Sequence, residues 1–376
     1  MKFDFLIVGA GYSGCVLAER IATRLDKTVL IVEKRNHIGG NAYDYHDESG
    51  VLVHKYGPHI FHTNSQKVWN YLGEFTEWRP YEHKVLAAID GMKVPVPFNL
   101  NSLYLLFPPK RAENLENILL STFGYGKKVP ILQMKETASG ELLQLAQYIY
   151  EKVFYGYTTK QWGLKPEELD PSVTARVPVF ISRDDRYFQD TFQAIPKDGY
   201  TSMFEKMISD HRIHVMLNTD YKSIVADVKF DKMIYTGPID YFFDYAHGEL
   251  PYRSLRFEMK TFSMERFQEV GQVNYPNEND YTRTTEFKHL TGQESRVTSV
   301  AFEYPLAHLN GINEPYYAIP KEENAELYSK YLNEANRISG TTYFVGRLAD
   351  YRNYNMDQIV ARALTVFENE ICGINV

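Results

Sequence analysis

The chain has 376 residues, a net charge of −7 and a hydrophobic content of 44%. These values predict a globular protein with a large core, and the lack of a basic tract argues against nucleic acid as a partner. No apolar run reaches the roughly 20 residues that span a bilayer, and the N-terminus has the pattern of a strand rather than a signal peptide. The two cysteines, Cys15 and Cys372, cannot form a disulfide framework, so we expect a reducing, cytoplasmic environment.

The first forty residues predict a dinucleotide-binding unit. An apolar strand leads into a G-x-G-x-x-G turn at residues 9–14, and a helix follows. Gly9 allows the tight turn, Gly11 lets the backbone approach a pyrophosphate, and Gly14 lets the helix pack close to the strand. A second strand then ends at Glu33, whose carboxylate can accept a hydrogen bond from a ribose hydroxyl.

The following stretch combines glycine and histidine signals. The pair Gly39-Gly40 is either an ordinary turn or a place where the backbone approaches a ligand. Residues 54–63 are dense in histidine, but no cysteine or acidic cluster accompanies them. We therefore expect one imidazole beside a cofactor rather than a metal site. Asn64 or Ser65 can cap the helix that comes next.

The middle of the chain alternates between strand and helix patterns. Residues 85–98 have the pattern of a hairpin, residues 101–154 that of helices, and residues 250–305 that of strands. The hairpin and the later strands together predict a separate antiparallel sheet. Residues 155–163 are too aromatic and too polar for an ordinary linker.

Three further strands are expected to belong to the first sheet. Residues 214–217, 232–238 and 341–345 have the required apolar pattern, and the last of them ends at Gly346-Arg347. A helix over residues 356–370 follows. This arrangement fits a nucleotide-binding α/β lobe that both ends of the chain close.

Five segments together resemble bacterial UDP-galactopyranose mutases. They are HKYGPHIFHT at 54–63, GYT with KQWG at 156–163, YTGPID at 235–240, YRSLRFE at 252–258 and EPYY at 314–317. The similarity runs from residue 4 to beyond residue 365, which is nearly the whole chain. The second and fourth segments are the most specific.

The resemblance implies an α/β fold in three parts. An FAD-binding Rossmann-like lobe, built from discontinuous segments, would take residues 1–80, 196–245 and 340–376. A small helical domain with a mobile substrate loop would take residues 100–175. An antiparallel β-sheet substrate domain would take residues 81–99, 176–195 and 246–339.

The implied activity is the reversible ring contraction of UDP-galactopyranose to UDP-galactofuranose. It requires reduced FAD without net redox change, because the flavin N5 acts as a covalent nucleophile at the anomeric carbon. The product would enter cell-surface polysaccharide synthesis. The resemblance also implies an external reductant, either NAD(P)H or a reductase, and a homodimer without a membrane or metal partner.

The resemblance also assigns site residues. Arg176 and Arg283 would hold the diphosphate, since arginine offers permanently charged bidentate donors, and His59 would lie near the flavin ring. Further substrate contacts would come from His83, Tyr157, Thr158, Trp162, Tyr187, Asn274, Tyr317 and Asn353. Cofactor contacts would come from Gly9, Gly11, Ser13, Gly14, Glu33, Lys34, Asn41, His59, Ile60, Arg347, Tyr354, Asn355, Met356, Asp357 and Gln358.

The chain departs from the family pattern at several of these places. Asn353 and Asn355 flank Tyr354 where the family usually has Tyr-Tyr-Asp, and Val153 replaces a frequent aromatic residue. At 179–180 a Val-Phe pair replaces Val-Arg. These changes do not affect the expected chemistry, but they leave the identity of the substrate open. The alternatives to UDP-galactopyranose are dTDP-fucopyranose and UDP-N-acetylgalactosamine.

Two other classes of protein share the flavin lobe. An FAD-dependent oxidoreductase of the amine-oxidase type would be reduced by its substrate and would form hydrogen peroxide. A flavin-fold binding protein would bind the nucleotide sugar without turnover. Paired diphosphate arginines favour the mutase over the oxidase, which has no use for them.

Overall fold

The computed structural model describes residues 2–170 and 177–373. The chain forms two compact units, each built from discontinuous segments. The first unit comprises Met1–Tyr81, Asp190–Tyr252 and Glu323–Val376, and the second comprises Glu82–Gln189 and Arg253–Glu322. The expected α/β class is confirmed, whereas the division into three domains stays a prediction.

The helices and strands of the described residues are numbered in chain order. The helices are α1 (Tyr12–Leu25), α2 (Gln66–Gly73), α3 (Leu100–Leu106), α4 (Pro109–Phe123), α5 (Ile131–Thr137), α6 (Gly140–Ile149), α7 (Gly156–Trp162), α8 (Tyr200–Met207), α9 (Ile239–Phe242), α10 (Phe287–Thr291), α11 (Glu322–Arg337) and α12 (Met356–Val366). The strands are β1 (Lys2–Val8), β2 (Val29–Val32), β3 (Asp44–His46), β4 (Leu52–His54), β5 (Phe61–Thr63), β6 (Trp78–Pro80), β7 (Val85–Ile89), β8 (Met92–Val96), β9 (Lys128–Val129), β10 (Val179–Phe180), β11 (Phe192–Pro196), β12 (Ile213–Met216), β13 (Lys229–Tyr235), β14 (Tyr252–Phe262), β15 (Gln272–Asn274), β16 (Arg283–Glu286), β17 (Thr298–Ala307), β18 (Tyr317–Ala318) and β19 (Thr342–Phe344).

A parallel five-stranded sheet forms the centre of the first unit. Its order is β12-β2-β1-β13-β19, and all four neighbouring pairs are parallel. Phe5 and Ile7 belong to a core on one face, together with residues of α1, α8 and α12, whereas Leu6 and Leu30 belong to a core on the other. Coverage of both faces explains why these strands are almost entirely apolar. The predicted return of three later strands to this sheet is confirmed.

Two small sheets of the first unit escaped prediction. Strands β5, β11 and β6 pair antiparallel, and β3 pairs with β4. Most of these strands have only three residues, which is too short for a two-residue period to show. Ser65, one of the two expected helix caps, does accept a hydrogen bond from the Val68 backbone at the start of α2.

The second unit contains a seven-stranded sheet in the order β18-β14-β17-β16-β15-β7-β8. We predict it to be antiparallel, and four of its pairings are antiparallel, but β15 and β7 pair in parallel. The prediction was therefore wrong for one pair. A parallel pair needs a long connection, and more than 180 residues separate these two strands.

The hairpin turn Asp90-Gly91 has positive φ at both residues, as a type I′ turn requires.

The helical region of the second unit differs from expectation in two places. Strand β9 interrupts the predicted helices and pairs with β10. The helical pattern, which we predict to end at residue 154, continues into helix α7 through a π-helical segment, Tyr150–Tyr155. The mobile substrate loop, which the resemblance implies within residues 100–175, stays a prediction. No helix among the described residues is long and apolar enough to cross a membrane.

Candidate functional site

The G-x-G-x-x-G turn of the first unit has no room for side chains. Gly9 has a φ of +102°, and a Cβ on it would lie 2.2 Å from Oγ1 of Thr236. A Cβ on Gly14 would lie 2.0 Å from the carbonyl oxygen of Gly9. Helix α1 begins directly after Gly11 without a side-chain cap. Its first N–H groups therefore offer donors and a positive dipole end to an anion.

A second glycine segment packs against this turn. The N–H of Gly39 donates to the carbonyl of Ala10 at 2.8 Å, and a Cβ on Gly40 would lie 3.0 Å from the Cα of Gly11. The pair Gly39-Gly40 therefore brings two stretches of backbone together, which an ordinary surface turn would not need to do.

The end of β19 also reaches this place. Gly346 has a φ of +148°, and a Cβ on it would lie 3.1 Å from the carbonyl oxygen of Thr236 and 3.5 Å from Oγ of Ser13. The carboxyl ends of the parallel strands β1, β13 and β19 thus converge, which is where α/β sheets bind ligands. We call residues 9–14, Gly39-Gly40 and Gly346 the glycine cradle.

Glu33 lies at the edge of the cradle with its carboxylate fixed. It is buried, and its two oxygens accept hydrogen bonds of 2.9 Å from the backbone N–H groups of Ala10 and Arg35. Each carboxylate oxygen can accept more than one hydrogen bond. The group is therefore held in place with capacity for a ligand hydroxyl.

His59 is oriented by backbone groups. Its Nδ1 lies 2.8 Å from the carbonyl of Gly57, which can only accept, so Nδ1 carries the proton and Nε2 is the acceptor of the neutral ring. The N–H of His59 in turn donates to Nδ1 of His54, whose pKa burial lowers to about 3. No group of three or more potential ligand residues that could hold a metal occurs among the described residues.

The N-terminus of α12 holds several expected cofactor residues. Asn355 is the N-cap, and its side chain and that of Gln358 form a reciprocal capping box. Asp357 accepts a hydrogen bond from Oγ1 of Thr63 at 3.0 Å. Because asparagine caps a helix as well as aspartate does, Asn355 preserves the local structure while removing the charge of the family's usual aspartate.

The other expected cofactor residues occupy varied surroundings in the first unit. Asn41 accepts a 3.0 Å hydrogen bond from the guanidinium of Arg35. Lys34 is exposed and Ile60 is buried, whereas Arg347 is half-buried. Asn353, which is expected to contact the substrate, also lies in the first unit and is half-buried. Tyr354 and Met356 pack against the core of the first unit.

In the second unit, a row of polar residues crosses three adjacent strands. Arg283 of β16 lies opposite Asn274 of β15 on one side and opposite Glu303 of β17 on the other. Its Nε donates to Oε2 of Glu303 at 2.7 Å. Because Nε is engaged, the two terminal Nη groups form the remaining donor edge, which suits a bidentate anion.

Glu303 is almost fully buried, at 1% exposure, and its Oε1 has no hydrogen-bond partner among the described residues. Burial raises the pKa of this carboxyl, although Arg283 opposes the shift. Sequence reasoning missed Glu303. Both strands were predicted, but only their register reveals that this carboxylate faces Arg283.

Tyr157 lies near this ion pair and near two further tyrosines. Arg283, Glu303, Tyr187 and Tyr317 are all close enough to Tyr157 to influence the pKa of its hydroxyl, which burial raises despite the nearby guanidinium. The phenol therefore stays a hydrogen-bond donor at neutral pH. We call these five residues the arginine–tyrosine cluster.

Two of the remaining expected substrate residues lie beside tyrosines of the cluster. Trp162 has its ring 6.0 Å from that of Tyr317, and His83 has its ring 5.8 Å from that of Tyr187. Thr158 and Asn274 are buried. Arg176 lies outside the described residues.

Comparisons with known proteins identify relatives of the chain. A family model described as UDP-galactopyranose mutase matches residues 152–353, and one described as an NAD(P)-binding Rossmann-like domain matches residues 7–75. The chain is 38% identical to a UDP-galactopyranose mutase of Mycoplasma pneumoniae, over 98% of this chain and 96% of that protein. The chain belongs to the UDP-galactopyranose mutase family.

Two further similarities refine this result. A dTDP-fucopyranose mutase of Escherichia coli is 33% identical over 96% of both chains. A crystal structure of reduced UDP-galactopyranose mutase has a TM-score of 0.72 at 15% identity and covers 100% of this chain and 94% of that one. The similarity to this crystal structure supports the fold. The expected enzyme class, an isomerase, is confirmed.

FAD is the cofactor of the UDP-galactopyranose mutase family, and the residues of the glycine cradle fit it. The cradle excludes side chains at Gly9 and Gly14, presents an uncapped helix N-terminus, and places the fixed carboxylate of Glu33 at its edge. These are the features that a dinucleotide pyrophosphate and its ribose require.

Proposed function

We propose that the chain interconverts UDP-galactopyranose and UDP-galactofuranose. The observation that carries the proposal is the arginine–tyrosine cluster, in which Arg283 is held by Glu303 and lies near Tyr157 and Tyr317, with Tyr187 near Tyr157. A guanidinium with phenolic donors around it is suited to a diphosphate. An amine oxidase would have no use for such a group, so family and site favour the mutase.

The first unit would hold FAD. Gly9, Gly11, Ser13 and Gly14 would contact the pyrophosphate, and Glu33 would accept from the ribose. The other proposed contacts are Lys34, Asn41, His59, Ile60, Arg347, Tyr354, Asn355, Met356, Asp357 and Gln358. Reduced FAD, when bound, supplies the nucleophilic nitrogen for the anomeric carbon of the sugar. The uncharged cap Asn355 and the positive end of the α12 dipole would favour negative charge nearby.

The second unit would hold the substrate. Arg283, with Arg176, would bind the diphosphate both in the intact sugar nucleotide and in the departed UDP, so that UDP remains in place for its return. The hydroxyl groups of Tyr157, Tyr187 and Tyr317 would donate to phosphate oxygens. The remaining proposed substrate contacts are His83, Thr158, Trp162 and Asn274 of the second unit and Asn353 of the first unit.

His59 would act through a fixed tautomer. Because its Nδ1 proton is committed to the carbonyl of Gly57, Nε2 of the neutral ring can only accept. The proposed role of His59 is to accept a hydrogen bond near the flavin ring without moving a proton there.

A second substrate deserves a direct comparison. A relative at 33% identity is named dTDP-fucopyranose mutase, and Val153, Phe180, Asn353 and Asn355 depart from the pattern of the UDP-galactose enzymes. The same residues could serve dTDP-fucopyranose or UDP-N-acetylgalactosamine, since the diphosphate and the reacting carbon are shared.

We further propose a cellular setting. The enzyme would work in a bacterial cytoplasm as a homodimer, would receive electrons from NAD(P)H or a reductase, and would supply a furanose sugar for cell-surface polysaccharide. The relative from Mycoplasma pneumoniae and the free cysteines Cys15 and Cys372 support this setting.

The deciding experiment uses dithionite-reduced and oxidised protein with each of the three sugar nucleotides, followed by chromatography of the products. We expect UDP-galactofuranose from UDP-galactopyranose with reduced protein alone. Substrate-driven flavin reduction with release of hydrogen peroxide would instead identify an oxidase. Binding of all three nucleotides without product would identify a binding protein. Faster turnover of dTDP-fucopyranose would reassign the substrate.

A further inference from the structure

Helix α7 brings Tyr157 and Trp162 to the arginine–tyrosine cluster. It has seven residues and ends at Trp162, which is followed by Gly163 with a left-handed φ of +69°. The last carbonyl groups of a helix have no donors within the helix itself. Because α7 continues α6 and the π-helical segment, only its C-terminal end needs hydrogen-bond donors from outside the helix.

Arg253 of β14 supplies donors to this end of the helix. Its Nε donates to the carbonyl of Gln161 at 2.9 Å and its Nη2 to the carbonyl of Lys160 at 3.3 Å. A Cβ on Gly163 would lie 3.2 Å from Nη1 of the same guanidinium. No carboxylate among the described residues forms an ion pair with Arg253, and burial lowers its pKa. The negative end of the helix dipole is therefore its main electrostatic partner.

Lys160 ties the same helix to a different part of the second unit. Its Nζ donates to the carbonyl groups of Tyr275 and Glu278 at 2.9 and 3.0 Å. These residues lie in the loop that connects Asn274 to Arg283. The ammonium group therefore couples the position of α7 to the strand that carries the diphosphate arginine.

The start of α7 is also fitted to that loop. A Cβ on Gly156 would lie 2.3 Å from the carbonyl oxygen of Pro276, and the amide of Asn277 donates to the carbonyl of Lys152 at 2.9 Å. The π-helical segment Tyr150–Tyr155 precedes this contact. Such segments change the direction in which the following side chains point and are frequent at functional sites.

We propose that Arg253 is a positioning residue for substrate binding, and that Lys160 works with it by clamping α7 so that Tyr157 and Trp162 meet Arg283 and Tyr317. This inference rests on the proposed function. It predicts that the two cations act through one element, the helix, and not through direct contact with the sugar nucleotide.

The test compares four variants of the reduced holoenzyme: Arg253→Gln, Arg253→Lys, Lys160→Met and the double variant Arg253→Gln/Lys160→Met. Arg256→Gln is the matched control, because Arg256 lies on the same strand but is exposed and pairs with Glu258. We measure KM, kcat, the dissociation constant of UDP, flavin content, and the fluorescence change on UDP binding that is lost in Trp162→Phe.

For Arg253→Gln we expect KM and the UDP dissociation constant to rise about tenfold, since hydrogen bonds from a charged group are lost. We expect flavin content to be unchanged, the Trp162 signal to diminish, and Arg253→Lys to restore part of the affinity. Lys160→Met should have a similar but smaller effect, and the double variant should be little worse than Arg253→Gln, because both changes release the same helix.

Parent-like KM in Arg253→Gln would overturn the inference. The inference would also be overturned if the effects of Arg253→Gln and Lys160→Met were strictly additive and the Trp162 signal were unchanged. That result would make Arg253 a direct phosphate ligand. If Arg253→Gln does not fold, Arg253→Lys and Lys160→Met carry the same test. Failure of the unmodified protein to turn over would overturn the proposed function instead, while UDP binding and the Trp162 signal would still decide the role of the clamp.

Discussion

The glycine cradle of the first unit and the arginine–tyrosine cluster of the second are built by different means. In the cradle, the backbone provides the donors, and glycines keep side chains away from them. In the cluster, side chains provide the donors, and strand register brings Arg283, Asn274 and Glu303 into one row. The cradle therefore depends on the absence of atoms at a few positions, whereas the cluster depends on charges that lie far apart in the chain.

This difference predicts which kinds of change each site tolerates. Small steric additions should harm the cradle and leave the cluster intact. Changes of charge at constant size should do the opposite.

The first prediction concerns Gly14→Ala. The new methyl group would lie 2.0 Å from the carbonyl oxygen of Gly9, so the helix must move at a cost on the order of 3 kcal/mol. We expect purified protein with little bound flavin, measured as the ratio of flavin to protein absorbance, and a lowered Tm. Gly73→Ala is the matched control, because its methyl group would make only ordinary contacts with Trp78. Full flavin occupancy in Gly14→Ala would contradict the steric account of the cradle.

The second prediction concerns Arg283→Ala. We expect turnover to fall by about a hundredfold to a thousandfold, the range seen when one charge-stabilising donor is removed, while flavin remains bound. The loss also leaves Glu303 buried without its partner, which should cost about 3 kcal/mol or more at high pH.

The penalty in Arg283→Ala should depend on pH. Burial raises the pKa of Glu303 in the fold above its unfolded value, so the folded state prefers the protonated carboxyl. Stability that is present below the unfolded pKa is lost as the pH rises through the folded pKa. The Tm deficit of the variant should therefore be larger at pH 8 than at pH 5. The double variant Arg283→Ala/Glu303→Gln should lack this dependence, and an equal deficit at both pH values would argue that Glu303 is not the cause.

The third prediction concerns His54 of the first unit, whose titration should lower the stability of the protein as the pH falls. Burial lowers the pKa of His54 to about 3 in the fold, against about 6.5 when unfolded. The unfolded chain therefore takes up the proton first, and stability falls as the pH drops from about 6.5 towards 3, by about 2 kcal/mol at pH 5. Urea unfolding followed by flavin fluorescence at pH 7 and pH 5 measures this change.

The control for this third prediction is His54→Asn. Its side-chain oxygen can replace Nδ1 as the acceptor for the N–H of His59 but does not titrate in this range. We expect a shallower pH dependence in this variant. An unchanged slope would assign the acid sensitivity to other groups.

The fourth prediction concerns the cap of α12. Asn355→Asp keeps the acceptor at the N-cap and adds a negative charge at the positive end of the helix, which should stabilise the protein by about 0.5 kcal/mol. Asn355→Ala should lose about 1 kcal/mol. Thermal unfolding measures both, and a fall in Tm for Asn355→Asp would show that other negative groups outweigh the helix dipole there.

Local sequence was enough to predict the cradle but not the cluster. The glycine turn and Glu33 could be predicted from short motifs at strand ends, whereas Gly346 was expected only as the end of the last strand. Arg283 was expected through family resemblance, whereas Glu303 was missed because only strand register brings it opposite that arginine. The short strands β3 to β6 were missed because three residues are too few to show a two-residue period. Helix α7 was not predicted, because residues 155–163 lack a clear apolar helical pattern.

The distribution of the first unit over three segments has a consequence for synthesis on the ribosome. Gly346, which completes the glycine cradle beside Ser13, is translated more than 330 residues after it. The segments of the second unit end at residue 322, so they have all been made before this glycine emerges from the exit tunnel. Incorporation of the flavin should accordingly be a late, largely post-translational event, and nascent chains stalled before residue 340 should remain colourless.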